Sequence, residues 1–413
     1  MKSLKIAILS YRSAPFGGGQ GVYVRDLSDA LKKFGHKVTI ISGPPYPHLH
    51  KDTKLIKLPG MNLFETFDFN DRLKKFIASK KDLINTFEFF STLFGGFPEL
   101  QTFGYRANKL LKNGDYDIIL DNQSISYGML ELQKQFPLIE IIHHPITKDL
   151  EFELSQNNKF LYQLSRKRWH SFLKMQKKVA PKLNKIITPS YNSKKDIVND
   201  FKVADENISV INNGLDTSIF RLIEKDNFKN NYQLITTASA DVPLKGLDYT
   251  LHAISSLKKN YPAISLNIIG KLKQNGHTER LIEKLDIKNN IRFYSSITKE
   301  EIAQLYSKSS IAIVSSLYEG FGYPVIEAMA CGVPLIATNT ASIPELVSNK
   351  ALLVQPKNHI EIASGINKIF NDYERYKKNA IANIRYIKER FNWDAIASEY
   401  NKIICETITN FKK

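Results

Sequence analysis

Cysteine is nearly absent from this chain: 413 residues contain only Cys331 and Cys405. Two thiols so far apart make neither a metal-ligand spacing nor a disulfide framework, as expected of a reducing compartment. Long apolar runs are also missing. No stretch approaches the roughly 18 uninterrupted apolar residues of a membrane-crossing helix. The apolar run after the lysines of MKSLKIAILS is too short for a secretion signal and is expected to be a first strand, which makes the expected location cytoplasmic. Acid is scarce relative to base, 41 residues against 58, leaving a net charge of +17. That excess calls for anionic company: a nucleotide, an anionic lipid surface or nucleic acid. The basic residues are spread over both halves and no nucleic-acid recognition motif occurs, so nucleic acid is not expected as a partner.

What is present is a soluble globular composition, 43% hydrophobic and 24% charged, in a chain too long for one ordinary core. Two domains of about 200 residues each are expected. The first half opens with strand Lys5–Ser10, a glycine-rich loop at 16–21 (FGGGQG), a helix over about 22–34 and strand Lys37–Ser42, a βαβ unit. The glycines suit either close approach to a ligand at the carboxyl end of the first strand or a turn that needs positive φ. A dinucleotide fingerprint is absent: the spacing is not G-x-G-x-x-G and no acid ends the second strand. Residues 44–97 carry no readable pattern. Asp115 and Asp117 imitate a D-x-D metal motif, but the apolar run right after Asp117 marks them as a turn into a strand, and no metal site is expected.

A strand over 138–142 ends in His143 and His144. Neighbouring histidines point to opposite sides of extended backbone, so they are not a ligand pair; one imidazole at a strand's carboxyl end can donate to a sugar hydroxyl or a phosphate, or be a loop histidine satisfied by backbone. The stretch 159–185 reads as a helix with nine lysines or arginines, and no acid occurs between Leu154 and Lys195. Leu161, Leu164, Trp169, Phe172 and Val179 fall near helical spacing there. The pattern is amphipathic, and its basic face either sits in water or meets anionic lipid headgroups as a peripheral membrane contact. Strands near 185–188 and 207–211 complete the first half.

The second half repeats the α/β rhythm, with strands near 233–237, 264–269, 291–294, 311–314, 335–337 and 352–354. It reads as a second doubly wound sheet. Residues 315–344, SSLYEGFGYPVIEAMACGVPLIATNTASIP, concentrate the chemistry. A loop leaves strand Ile311–Val314, passes Glu319 and two glycines, and enters a helix whose first turn suits Pro324. The helix start at Gly320, Phe321, Gly322 and Tyr323 aims backbone N–H groups and the positive dipole end at the loop, an anion site. Glu319 and Glu327, eight apart, are expected to bring two carboxylates toward that mouth. By themselves they allow either a ligand with phosphate and hydroxyl groups or a charged helix start over an apolar packing face.

The run resembles the E-x7-E signature of glycosyltransferase family 4, with Glu319 and Glu327 as its acids, followed by the AMACGVPLIAT and IPEL continuations. The resemblance extends to Gly18, Gly19 and Val24 of the N-terminal GGxxxxV element, to Gly35 and His36 of GHKVTIIS, and to SVINNGLDTSIF at 209–220, where Asn212 replaces the usual proline. FNWDAIASEY at 391–400 resembles the family's C-terminal helix that crosses back to the first domain.

This resemblance implies two facing Rossmann-like domains, the GT-B arrangement: 1–216 joined by 391–413 on the acceptor side, and 217–390 on the nucleotide-sugar side. It implies transfer of a hexosyl group from a UDP- or GDP-linked sugar to a hydroxyl of a glycan or lipid-linked acceptor, with retention of configuration, no cofactor and no metal. Glu319 would hold the transferred sugar, Glu327 the ribose hydroxyls, and His143 a sugar hydroxyl. Lys245 and Gly246, the helix start at 320–323 and the Gly18–Gly19 loop would bind the donor, and Lys245 would neutralise the departing diphosphate. One departure stands out. In ASADVPLKGLDYTL, residues 238–251, Ser239 and Ala240 occupy the place of the family's arginine, so one diphosphate cation is missing and Lys271 and Lys273 are the nearby candidates to replace it. A non-catalytic sugar-nucleotide or glycan-binding protein with a degenerate site is the alternative.

Overall fold

The computed structural model describes residues 3–14, 19–223, 232–347 and 351–411. The chain divides into two compact units, Met1–Asn213 with Ile396–Lys413, and Gly214–Ala395. Each is built on one parallel sheet. The first unit contains β1 (Lys5–Ser10), β2 (Lys37–Ser42), β3 (Lys54–Lys57), β4 (Ile118–Asn122), β5 (Leu138–Ile141), β6 (Ile186–Thr188) and β7 (Ile208–Val210), in the order β3-β2-β1-β4-β5-β6-β7. The second contains β8 (Gln233–Thr237), β9 (Ser265–Ile269), β10 (Ile291–Tyr294), β11 (Ile311–Val314), β12 (Leu335–Thr338) and β13 (Leu352–Val354), in the order β10-β9-β8-β11-β12-β13.

The strands read as short apolar runs because helices cover both faces of each sheet: β4, β5, β11 and β12 are buried throughout. In both sheets the chain moves outward to one edge, returns to the middle, and moves to the other edge. This is the Rossmann order, and the switch lies between β1 and β4 in the first unit and between β8 and β11 in the second. Loops leaving the carboxyl ends of those strand pairs diverge and open a crevice, which is where α/β sheets bind ligands.

Residues 44–97, unreadable in sequence, contain β3 on the sheet edge and two helices, Phe69–Ala78 and Leu83–Leu93. Asp68 and Asp82 cap them through the backbone N–H groups of Asp71 and Asn85. The expected single helix over 159–185 is broken: helix Phe160–Trp169, a 3-10 turn His170–Phe172, helix Leu173–Val179 and a further turn at Ala180–Lys182. Pro181 in that last turn lacks the N–H that a continuing helix would need. The apolar positions divide accordingly, since Leu173 and Val179 are buried while Leu161 and Leu164 are exposed.

The last helix, Trp393–Phe411, begins in the second unit and from Ile396 onward belongs to the first. Its buried Tyr400 hydroxyl meets that of Tyr23, and Asn401 Oδ1 lies 3.0 Å from His36 Nε2. No helix among the described residues is long and apolar enough to cross a membrane.

Candidate active site

The two loops at the switch point of the second sheet carry Lys245 and Glu319. After β8 the chain closes a 3-10 turn, Pro243–Lys245, and Gly246 starts helix Leu247–Leu257. Only glycine fits there: φ is +61°, and a Cβ would stand 2.0 Å from the carbonyl oxygen of Ser315. That close approach laces the two loops together. Ser315 Oγ donates to the Gly246 carbonyl at 3.0 Å, and the Leu317 N–H donates to the Leu244 carbonyl at 2.7 Å. As a result Lys245 Nζ donates to Glu319 Oε1 at 2.7 Å, and Ser316 Oγ donates to the same oxygen at 2.7 Å. The lysine side chain is 33% exposed and the carboxylate 11%, so the pair faces solvent chiefly through its cation.

Beyond Glu319 the loop is pinned by Ser342, whose hydroxyl donates to the carbonyls of Glu319 and Phe321. Gly322, at φ +112°, then turns the chain into helix Tyr323–Ala330, with Pro324 in its first turn. Residues 320–323 thus form the loop and first turn at the positive end of this helix. Gly320 is in the partly exposed loop, and Tyr323 is the first helical residue. The Phe321 ring is buried in the core at 6.0 Å from Phe391, so any ligand contact there is through backbone.

Glu327, one turn inside, has different partners. Tyr306 donates to its Oε2 at 3.3 Å. Burial raises the carboxyl to about 7, against the opposing pull of the Tyr306 hydrogen bond and the positive charge of Lys299. The two glutamates therefore stand in unlike environments, one held by a lysine and one poised between its neutral and ionised forms at pH 7.

In the first unit His143 follows β5. Its backbone N–H donates to Gln123 Oε1 at 2.9 Å, and Gln123 Nε2 donates back to the His144 carbonyl at 3.0 Å. The ring is wedged edge-on to Tyr23, with centroids 4.6 Å apart. Its Nε2 lies 2.8 Å from Asn122 Oδ1, and Asn122 Nδ2 points toward Ser10 Oγ at 3.5 Å, which assigns the ring proton to Nε2. Burial, helped by the charge of His144, lowers the ring to about 3. The imidazole is neutral and its proton is already committed. With Nε2 protonated, the other ring nitrogen, Nδ1, is an acceptor.

Beneath His143 is a carboxyl pair. Asp121 and Glu140 are register partners on β4 and β5 and both are fully buried, with Asp121 Oδ1 and Glu140 Oε2 receiving no hydrogen bond. Asp121 Oδ2 accepts from the Ser124 N–H and hydroxyl at 3.0 and 2.6 Å, and Glu140 Oε1 accepts from the Ile125 N–H at 3.2 Å. Burial raises both acids, Glu140 the further because the Asp121 charge faces it. Together they fasten the 122–126 loop, in which Gln123 and Ile125 adopt φ of +65° and +46°. Sequence reading passed over Asn122, Gln123 and both acids; the polar run DNQS directly after an apolar strand was their signal.

Other candidates fall as follows. Gly19, at φ +74°, is the N-cap of helix Gln20–Lys33, while Gly18 lies outside the described residues. Asp117 accepts from the Lys5 N–H at 2.7 Å and Asp115 pairs with the Lys5 side chain, both organising the turn into β4. His144 Nε2 lies 2.9 Å from Asp149 Oδ2. Where the family's arginine would stand, Ser239 is exposed and Ala240 buried, and Lys271 and Lys273 are exposed on the loop after β9. Among the described residues no cluster of three or more His, Cys, Asp or Glu is placed to hold a metal ion. A cavity of about 680 Å³ lined by Lys5, Lys37 and Lys54 lies at the amino ends of β1, β2 and β3, the edge opposite His143.

Comparison with known proteins decides the family. The model described as Glycosyltransferase Family 4 matches residues 17–219, and that described as Glycosyl transferases group 1 matches residues 218–385. An MMP alpha-(1->4)-mannosyltransferase from Mycolicibacterium hassiacum is 37% identical over 404 residues, covering 96% of each chain. The chain belongs to glycosyltransferase family 4. This family 4 glycosyltransferase has the GT-B fold, its two Rossmann-like domains carrying seven and six strands. Sucrose-phosphate synthase from Thermosynechococcus elongatus superposes with a TM-score of 0.75 at 20% identity, covering 98% of this chain and 100% of that one. Anabaena HepE, solved in complex with UDP and glucose, gives 0.70 at 17% identity, covering 98% and 100%. As a class, glycosyltransferases use nucleotide-sugar donors and glycan acceptors.

Proposed function

We propose that this glycosyltransferase moves a hexosyl group, with mannose the first candidate, from a UDP- or GDP-linked sugar to an acceptor hydroxyl with retention of configuration and without a bound metal ion. The observation that carries the reading is the Lys245–Glu319 pair, set on the two loops that leave the switch point of the second sheet. Mannose is taken from the 37% identical relative, a mannosyltransferase by name.

A diphosphate leaving group gathers negative charge as the bond to the sugar breaks, and fixed donors in place beforehand stabilise that charge most. Lys245 and the N-terminus of helix Tyr323–Ala330 supply such donors, in the absence of the family's arginine. Glu319 pairs with Lys245. On donor binding the lysine turns to phosphate, and the carboxylate, still held by Ser316, accepts from hydroxyls of the transferred sugar. Glu319 is not a general acid in this scheme. Glu327 accepts from the ribose hydroxyls, Gly246 and Gly320 allow close approach of backbone, and the Gly18–Gly19 loop and His143 Nδ1 contact the sugar. The acceptor is a glycan or a lipid-linked glycan, and the nine basic residues at 159–185 favour peripheral attachment to an anionic membrane at its cytoplasmic face.

A thermal-shift screen of nucleoside diphosphates and their mannose and glucose derivatives tests the donor, because a ligand selective for the native state raises its apparent stability. The stabilising donor is then incubated with mannosyl acceptors, with and without EDTA, and the anomeric signal of the product is read by NMR. An inverted product or loss of turnover in EDTA contradicts the mechanism. Binding without either transfer or hydrolysis favours the non-catalytic alternative.

A further inference from the structure

The apolar side chains left on the surface are concentrated in two segments of the first unit. Helix Leu83–Leu93 presents Leu83, Phe87, Phe90 and, just past its end, Phe94, exposed by 89%, 44%, 50% and 65%. Their spacing of four, three and four puts them on one stripe of the helix, about 16 Å long at 1.5 Å per residue. The opposite side is already used: Phe89 is buried against Met61, Leu63 and Phe76. A helix that is apolar on its inner side normally turns a polar side outward. Here the outer stripe contains no polar residue.

The preceding helix, Phe69–Ala78, has no buried residue and leaves Phe69 and Ile77 exposed. Helix Phe160–Trp169 also has no buried residue, with Phe160 and Leu161 more than three-quarters exposed. An aromatic base joins the two segments, since the Trp169 ring meets those of Phe64 and Phe67 at 5.2 and 6.2 Å. Basic charge lies along this apolar surface and is unbalanced in the second segment, whereas in the first Glu65 and Asp71 pair with Lys75 and Lys74. Lys74, Lys75, Lys80 and Lys81 flank the first helices, and the nine basic residues of 159–185 occur with no acid between 155 and 194. The groove between helices Thr147–Gln156, Phe160–Trp169 and Leu173–Val179 is lined by Leu150, Leu154 and Leu164 with Lys167, Lys174 and Lys177, and Glu151 and Asp200 also line it.

We infer that the exposed stripe of helix Leu83–Leu93 inserts into the headgroup region of an anionic lipid surface, with the basic segment 159–185 engaging the headgroups beside it. A second copy of the chain would bring the same cations together, whereas an anionic bilayer satisfies both the apolar stripe and the charge. This rests on the peripheral-membrane reading above and adds to it a separate contribution. Attraction through lysine alone is screened by salt, whereas buried apolar area is not.

The test is co-sedimentation of the full chain with phosphatidylcholine vesicles, with and without phosphatidylglycerol, at low and high salt. The wild type should bind the phosphatidylglycerol vesicles and retain part of that binding at high salt. Phe87→Ser with Phe90→Ser should remove the salt-resistant part, weakening binding by at least about tenfold, while the nucleotide-induced thermal shift stays intact as proof of folding. Arg166→Gln, Lys167→Gln, Lys174→Gln and Lys178→Gln together should remove the salt-sensitive part. Binding that high salt abolishes entirely and the phenylalanine changes leave untouched would overturn the insertion but leave the lysine contact standing. Absence of binding to every vesicle would remove both. A wild type that self-associates without lipid, and becomes monomeric in the phenylalanine variant, would instead make the stripe a subunit interface.

Discussion

The two units share a strand order, yet they build their candidate sites by different means. In the second unit the chemistry is local. Lys245 and Glu319 sit on two loops that leave adjacent strands, and their meeting follows from Gly246 lying against Ser315. In the first unit the chemistry is indirect: His143 is neutral and fixed by Asn122 and Gln123, whose loop is fastened by two buried acids on neighbouring strands. One unit displays its charges at the crevice. The other keeps charge beneath the surface and offers an uncharged ring. In the proposed scheme the first kind of site suits a diphosphate and the second a sugar hydroxyl.

The largest expected effect tests the second unit's claim to the chemistry. Glu319→Gln preserves shape but not charge and should lower kcat by on the order of 10²- to 10³-fold, the loss typical of removing a preorganised electrostatic contact. Single-turnover kinetics would read it, and normal turnover would move the chemistry elsewhere.

Next comes the cation. Lys245→Ala should weaken nucleoside diphosphate binding about 10- to 100-fold, the worth of a charge-assisted contact, while Lys271→Ala with Lys273→Ala changes affinity little. Titration calorimetry distinguishes the two. Equal losses would show that the loop after β9 has assumed the missing arginine's part.

The comparison sharpens in the first unit through Glu140. Glu140→Leu strips the Ile125 N–H of its partner and should cost about 1–3 kcal/mol of stability, with turnover falling because His143 loses its support. Glu140→Gln keeps the acceptor for Ile125, so it should restore both in urea melts and in kcat. If leucine is as good as glutamine, the pair has no positioning role.

The smallest effect is one of pH. Glu327 titrates near 7 in the folded chain and near the ordinary carboxyl value when unfolded, so the folded state binds the extra proton. Its contribution to stability is complete below the unfolded value and is lost as pH rises through about 7. Glu327→Gln cannot ionise, so its melting temperature should gain on the wild type across that window. Parallel curves for the two proteins would mean that Glu327 is ionised throughout.

How much of this was legible beforehand varies with locality. The strands appeared because each is a short apolar run between turn signals, and the Glu319 loop appeared because its acids, glycines and proline are neighbours in the chain. The helix at 83–93 escaped notice because its apolar residues face both inward and outward, which blurs the helical period. The break at 170–172 likewise follows packing, with His170 and Leu173 turning inward where Leu161 and Leu164 do not.

The sequence by itself determined two doubly wound sheets, the family, and the identity of the charged residues at the second crevice, since each is written in contiguous residues whose spacing has one structural reading. Tertiary structure decided the rest. That Lys245 meets Glu319, that Tyr306 rather than a second loop residue faces Glu327, and that His143 is an acceptor depend on groups from separate strands reaching hydrogen-bonding distance. Burial decided protonation as well, because the cost of charge in a low-dielectric interior depends on what surrounds a carboxyl or an imidazole, not on its neighbours in the chain.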